Sequence, residues 1–303
     1  MNDPIEYFRL AIAAGGLTPP TEIIDDGVIH RFSTNGKPTH KNGWYMLHTD
    51  GIAAGAFGDW REGFTQNWCS KADTSMTEVE RFAYRARIKV MQRQREDDQE
   101  KRQQLAAADA LKRWTAATPC TQHDYLTRKG ILPHGARIEG DKLLIPMRDA
   151  SGTVHSLQTI APDGTKMFMS GGRVKGSYFG IGRPKGVLIV CEGFATGASI
   201  HECTGHAVAV AFNAGNVGPV ATEMHKKYPE LTIVIAADDD WCTDGNPGLA
   251  SAKSAALAVG GFVVVPQFPK NRPIKATDFN DLAAMAGLSA VRACFSEIEV
   301  LSC

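Results

Sequence analysis

Four short apolar runs without polar alternation, Val187–Cys191, Ala207–Phe212, Thr232–Ala237 and Phe262–Val265, do most to restrict what this chain can fold into. A strand with one wet face alternates apolar and polar residues, whereas a run that is apolar throughout is covered on both faces. Helix-like stretches lie between the runs, at Ala195–Cys203, Val217–Tyr228 and Leu249–Val259. Strands and helices in that order make βαβ crossovers, so residues 186–303 read as a parallel α/β sheet flanked by helices. Ligands of such sheets sit at the carboxyl ends of the strands.

Two of the runs end in acid: Val187–Cys191 leads into Glu192-Gly193, and Thr232–Ala237 into Asp238-Asp239-Asp240. Alternate residues at a strand end point the same way, so Asp238 and Asp240 share a face while Asp239 points elsewhere. Three carboxylates gathered at one sheet edge repel unless a hard cation neutralises them, and carboxylate oxygens with retained water suit Mg²⁺. Glu192, Asp238 and Asp240 are therefore the candidate catalytic, metal-binding acids. A further acidic group, Asp278-Phe279-Asn280-Asp281, reads as a helix N-cap before Leu282, a role compatible with metal binding. Asn213-Ala214-Gly215-Asn216 is predicted to turn near the same edge, within reach of substrate. His201, Glu202 and Cys203 fall late in a predicted helix where neighbours point apart, and Cys191 reads as a buried strand residue.

Upstream, residues 118–185 read as a small antiparallel, strand-rich subdomain, with Lys142–Met147, Thr153–Ile160 and Lys166–Ser170 as strands and Gly171–Gly182 as a basic, glycine-rich loop. Residues 76–117 carry no Gly or Pro up to Ala117 and form a helical linker, either a solvated spacer or a helix offering Arg81, Arg85, Arg87 and Lys89 to phosphates. Residues 1–75 mix aromatics with turn residues and read as a small α+β domain. The seven cysteines are scattered and odd in number, against a disulfide framework. The formal net charge of zero leaves only a local patch to meet a polyanion. With no run of about 18 apolar residues and no basic-then-apolar leader, no membrane association is expected and a cytoplasmic location is.

Glu192-Gly193 followed by a strand ending in Asp238-x-Asp240 resembles the toprim domain shared by bacterial-type primases, topoisomerases and some nucleases. The longer string Glu192-Gly193-Phe194-Ala195-Thr196-Gly197 is similar to the Glu-Gly-Tyr-Ala-Thr-Ala motif of primases carried by conjugative plasmids and satellite phages. Leu144–Asp149, Lys166–Ser170 and Lys175-Gly176 are similar to the basic half of the bacterial replicative primase core. Over residues 118–290 the resemblance implies a DNA primase: a nucleotidyltransferase making short RNA primers on single-stranded DNA from ribonucleoside triphosphates, with one or two Mg²⁺ or Mn²⁺ ions. It implies that Arg148, Lys166, Lys175 and, more weakly, Arg173 line the groove for template and nucleotide. Asp278 joins the metal-binding acids by the same match, while Asn280 departs from the family's second acid.

No Gly-x-x-x-x-Gly-Lys-Ser/Thr phosphate loop is present, so a separate replicative helicase is the expected partner. Cys69, His30, His40 and His48 lack the pairing of a zinc ribbon, and zinc is not expected. In residues 1–75, a possible template-recognition module, Trp44, Tyr45, Trp60 and Trp68 either stack template bases beside Arg31, Lys37 and Lys41 or form a small core. Two rival readings stay open: a metal-dependent nuclease using the same acids, and a non-catalytic nucleic-acid-binding replication protein.

Overall fold

The computed structural model describes residues 3–35, 41–60 and 62–300, and Lys37 and His40 lie outside them. The chain divides into two compact units, residues 1–101 and 102–303. The first opens with α1 (Pro4–Ala14), capped by Asp3, whose carboxylate accepts from the Ile5 N–H with Pro at the first turn. An antiparallel sheet follows, β1 (His30–Phe32), β2 (Gly43–His48), β3 (Ala54–Asp59) and β4 (Phe64–Cys69), in that spatial order. α1 sets Phe8 and Ile12 against Tyr45, Leu47 and Phe57. Trp44 and Tyr45 are only 1% and 3% exposed, so of the two readings for these aromatics the core one holds for this pair. Arg31 donates to the Lys41 carbonyl and leans on Trp60.

α2 (Glu78–Ala116) runs 39 residues. It starts in a capping box, the Thr77 N–H donating to Glu80 and the Glu80 N–H donating to the Thr77 hydroxyl. It is more than a solvated spacer. In its first half Met91 is buried, Arg87 donates to Asp50 and Arg95 lies over Trp44. In its last turns Ala110 and Trp114 pack on Leu144, Val154 and Leu157. Arg87 is thus occupied by a neighbouring loop.

The second unit begins with β5 (Thr118–Pro119), α3 (Asp124–Lys129), β6 (Arg137–Glu139), β7 (Lys142–Arg148), β8 (Val154–Ile160) and β9 (Lys166–Phe168), the strands forming one antiparallel sheet in sequence order. Then come β10 (Phe179–Ile181), β11 (Val187–Cys191), α4 (Phe194–Thr204), β12 (Ala207–Val210), α5 (Ala214–Lys227), β13 (Thr232–Ala236), α6 (Pro247–Val259), β14 (Phe262–Val264), α7 (Phe279–Ala286), α8 (Leu288–Cys294) and α9 (Ser296–Val300). Their sheet has the order β10-β12-β11-β13-β14, parallel except for β10. One face carries Val217, Val220, Met224, Ala252, Ala255 and Ala256 side chains from α5 and α6. The other shares a single core with the antiparallel sheet, where Leu143, Ile145 and Ile160 meet Ile189, Phe194 and Phe279.

Two local expectations are corrected. The loop predicted over Gly171–Gly182 ends in β10, whose Phe179 and Ile181 are buried on either side of exposed Gly180. The turn predicted at Asn213–Asn216 is the first turn of α5, with Asn213 as its N-cap. The six cysteines among the described residues are free thiols. Among the described residues no helix is long and apolar enough to cross a membrane.

Candidate functional site

The site is built where β11 and β13 end. The two strands are parallel neighbours with Cys191 opposite Ala236, so the residues that follow each leave the sheet at one edge. Asp238 is half-buried there, and its Oδ1 is shielded from solvent with no hydrogen-bond partner. Burial pushes its carboxyl well above the usual range, with further push from Asp278, Glu192 and Asp240 and an opposing pull from Lys166. Glu192 is raised first by burial and then by Asp240, with Lys166 again opposing and Asp278 adding. Asp278, the half-buried N-cap of α7, is raised by desolvation and by Asp281 although it accepts from the Asp281 N–H at 2.8 Å and the Thr196 hydroxyl at 3.1 Å. The charges of Glu192, Asp238, Asp240 and Asp278 therefore act on one another, and the positive charge of Lys166 opposes them at Glu192 and Asp238.

The chain between Asp238 and Gly248 is braced by residues that sequence reasoning passed over. Asn246, the N-cap of α6, accepts from the Asp240 N–H at 2.9 Å and donates to Asp239 at 2.7 Å. The Gly248 N–H donates to Asp240 at 3.0 Å, and a Cβ at Gly248 would stand 2.6 Å from the Asp238 carbonyl oxygen. Only glycine lets α6 approach the acids this closely. Asp239 faces away and pairs with Arg272 at 2.5 Å, whose guanidinium also covers Phe268 and Trp241. Asn-Pro-Gly at 246–248, a helix-start signature, was the available signal.

The basic residues meet different partners. Lys166 lies on edge strand β9. Arg148 is half-buried, its guanidinium 5.4 Å from the Trp114 ring centroid, beside Arg137 over the same ring. Arg173 pairs at 3.3 Å with Asp149, a carboxyl that burial would raise but that bonds from Ser151 and His155 hold well below its usual range. Arg173 and Lys175 line an open cleft with Asp149, Pro219 and Glu223. The loop beneath them is fixed by Asn216, which accepts from the Gly176 N–H at 2.7 Å and donates to the Ser177 and Ala211 carbonyls. Asn216 is thus fully used inside the fold.

Other candidates resolve into structure. His201 bonds the His206 carbonyl, Glu202 meets His134 at 2.6 Å, and burial first of all pushes the Cys203 thiol up to about 11, which leaves it protonated. Burial also keeps Cys191 protonated. At Gly197 an added Cβ would lie 2.8 Å from Val210 and 3.1 Å from the Cys191 sulfur, which explains why glycine ends the hexad in this chain. Asn280 is buried and donates to the Lys129 carbonyl at 2.8 Å and to Ser199 at 3.0 Å, tying α7 to α3 and α4.

The donor set and the orphaned Asp238 oxygen fit a hard divalent cation. Among the described residues no three His, Cys, Asp or Glu side chains already stand as a ready ligand cluster. Two of the four acids are instead held by protein donors, Asp240 by Gly248 and Asp278 by Asp281 and Thr196.

Residues 187–289 match the family model of the toprim domain. Two DNA primase TraC sequences of Escherichia coli are similar to the chain: one is 34% identical over 282 residues, 88% of this chain and 26% of its own length. The other is 33% identical over 301 residues, 93% of this chain and 20% of its own length. This chain thus spans about a quarter or less of the curated relatives it matches. Among solved structures, the Aquifex aeolicus primase with its zinc-binding and RNA polymerase domains aligns over 98% of this chain and 86% of that one, at 13% identity and a TM-score of 0.47.

Proposed function

We propose that this chain, whose residues 187–289 match the toprim domain, is a DNA primase module that makes short RNA primers on single-stranded DNA by divalent-metal-dependent nucleotidyl transfer in the cytoplasm. The observation that carries the reading is the half-buried Asp238 carboxylate, with a shielded and unpartnered oxygen, within the field of Glu192, Asp240 and Asp278 at a sheet edge that also receives the charge of Lys166. Similarity to TraC over nearly the whole chain supports it.

Glu192, Asp238 and Asp240, with Asp278, would hold one or two Mg²⁺ or Mn²⁺ ions. A bound ion there supplies Lewis-acid activation of a 3′-hydroxyl and charge neutralisation for the leaving pyrophosphate. Lys166 sits where it can neutralise triphosphate charge, and Lys175 and Arg173, in their own cleft, are assigned to the template backbone. Arg148 is assigned to the same strand but through its stack on Trp114. A separate helicase would open the duplex.

Incubating the protein with single-stranded DNA, ribonucleotides and Mg²⁺ or Mn²⁺ tests the reading. Short oligoribonucleotides support it; a cut template means nuclease chemistry, and neither product means a binding protein.

The same carboxyls predict how metal and pH combine. Glu192, Asp238 and Asp278 have folded-state pKa values above their unfolded ones, so without metal the fold is favoured when they are protonated. Stability of the metal-free chain should then fall as pH rises above the ordinary carboxylate range. A divalent ion reverses this by removing the repulsion, and protons compete with it. At saturating Mn²⁺ the expected gain is about 1–3 kcal/mol near pH 8, shrinking toward pH 5. Melting curves with Mn²⁺ and with EDTA at both pH values check it; equal gains at the two would place the ion elsewhere.

A further inference from the structure

Beside the acids stands an aromatic ledge. Edge strand β9 is exposed along its length, with Met167 63% and Phe168 40% accessible. Alternation puts Lys166 and Phe168 on one face of the strand, about 7 Å apart. That face is turned toward the end of β11, because the Phe168 ring meets Phe212, whose N–H bonds the Glu192 carbonyl.

Phe168 does not project alone. Its ring meets Phe212 edge to face, centroids 6.3 Å apart and planes at 81°. Phe212 is 7% exposed and has a φ of 73°, a left-handed backbone that a bulky side chain seldom adopts. The chain is held in that shape by the Ala211 N–H donating to the Cys191 carbonyl at 2.8 Å and the Phe212 N–H donating to the Glu192 carbonyl at 2.7 Å. A strained residue is therefore bonded to the backbone of a candidate metal-binding acid, and its buried ring supports an exposed one. Core packing accounts for Phe212 but leaves the outer face of Phe168 in water.

We propose that Phe168, backed by Phe212, is the platform on which the base of a nucleoside triphosphate stacks while its phosphates meet Lys166 and the cation at Glu192 and Asp238. The proposal rests on the nucleotidyl-transfer reading and names the substrate contact within it. A two-residue step along β9 is on the order of the reach across one sugar from phosphate to base. An aromatic face accepts every base, so discrimination among the four nucleotides through Phe168 is weak.

The test uses the full chain. Phe168→Ala should raise the KM for ribonucleotides roughly 5- to 100-fold, the range that losing one base–aromatic stack produces. Affinity for single-stranded DNA and the Mn²⁺-dependent shift in melting temperature should stay unchanged, while Phe168→Tyr retains the wild-type KM. In Phe168→Trp without template, ATP with Mn²⁺ should quench tryptophan fluorescence beyond the change seen in the wild type. An unaltered KM in Phe168→Ala, or a defect in DNA binding in place of nucleotide use, overturns the proposal. If Phe168→Trp reports ATP binding and the wild type makes no primers, the platform stands and the primase reading falls. If primers form and Phe168→Ala uses ribonucleotides like the wild type, the reverse holds.

Discussion

Asp238→Asn is expected to stop primer synthesis, by roughly 10³-fold or more, and at the same time to make the metal-free fold more stable. Both effects come from one fact, that the Asp238 carboxylate is half-buried among other acids with a shielded oxygen that no protein group bonds. A buried charge without a partner is a cost to the fold, and removing it is worth about 1–3 kcal/mol, or roughly 2–10 °C for a unit of this size. The sign follows from the raised folded-state pKa. Above the ordinary carboxylate range the wild type bears a penalty for ionising in the fold, and the asparagine variant does not. Below that range Asp238 is protonated in both states and the two proteins should converge. Melting in EDTA near pH 8 and near pH 4 reads this directly. The matched control is Asp239→Asn, which breaks the pair with Arg272 and should cost stability while leaving most of the synthesis. A wild-type rate in Asp238→Asn would remove the metal-site assignment.

Much of this arrangement was legible because strand physics has a short period. Apolar runs without alternation marked β11, β12, β13 and β14, and a two-residue repeat at the end of β13 separated Asp239 from its neighbours. What escaped depended on partners distant in the chain. β10 was hidden by Gly180 and Gly182, since a three-residue strand paired to β12 carries too little periodicity to stand out in a glycine-rich stretch. Nothing in the spacing of Arg148 or Arg137 announces Trp114, contributed by the end of α2, and nothing near Arg173 announces Asp149. The resemblance puts Arg148, Lys166, Arg173 and Lys175 along one groove; Arg173 and Lys175 line a cleft with Asp149, while the charge of Lys166 acts on Glu192 and Asp238. Trp44 and Tyr45 illustrate the same limit: an aromatic beside a basic residue reads equally as a base platform or a core. Only packing assigns them to the core: Tyr45 lies against Phe8 and Phe57, and Trp44, on the other face of β2, is covered by Trp60 and Arg95.

Asn280→Asp separates a metal-site role at this position from a structural one, and the expected result is strong destabilisation that Mn²⁺ does not reverse. The amide donates to the Lys129 carbonyl and to Ser199 from a position only 2% exposed. A carboxylate there would keep at most the Ser199 bond, would set a negative oxygen against the Lys129 carbonyl, and would do so away from water. The cost should be about 3–5 kcal/mol near neutral pH, the usual range for an uncompensated buried charge. It should ease at acidic pH, where the new carboxyl is protonated and can donate as the amide does; the introduced group has a raised folded-state pKa, so the loss sets in as pH climbs past the unfolded carboxylate value. Asn280→Ser provides a smaller, uncharged perturbation and should lose less, with little dependence on pH. If instead Asn280→Asp is stabilised by Mn²⁺ beyond the wild type, residue 280 reaches the cation, and the acids at this edge would have to include the α7 position that this chain fills with an amide.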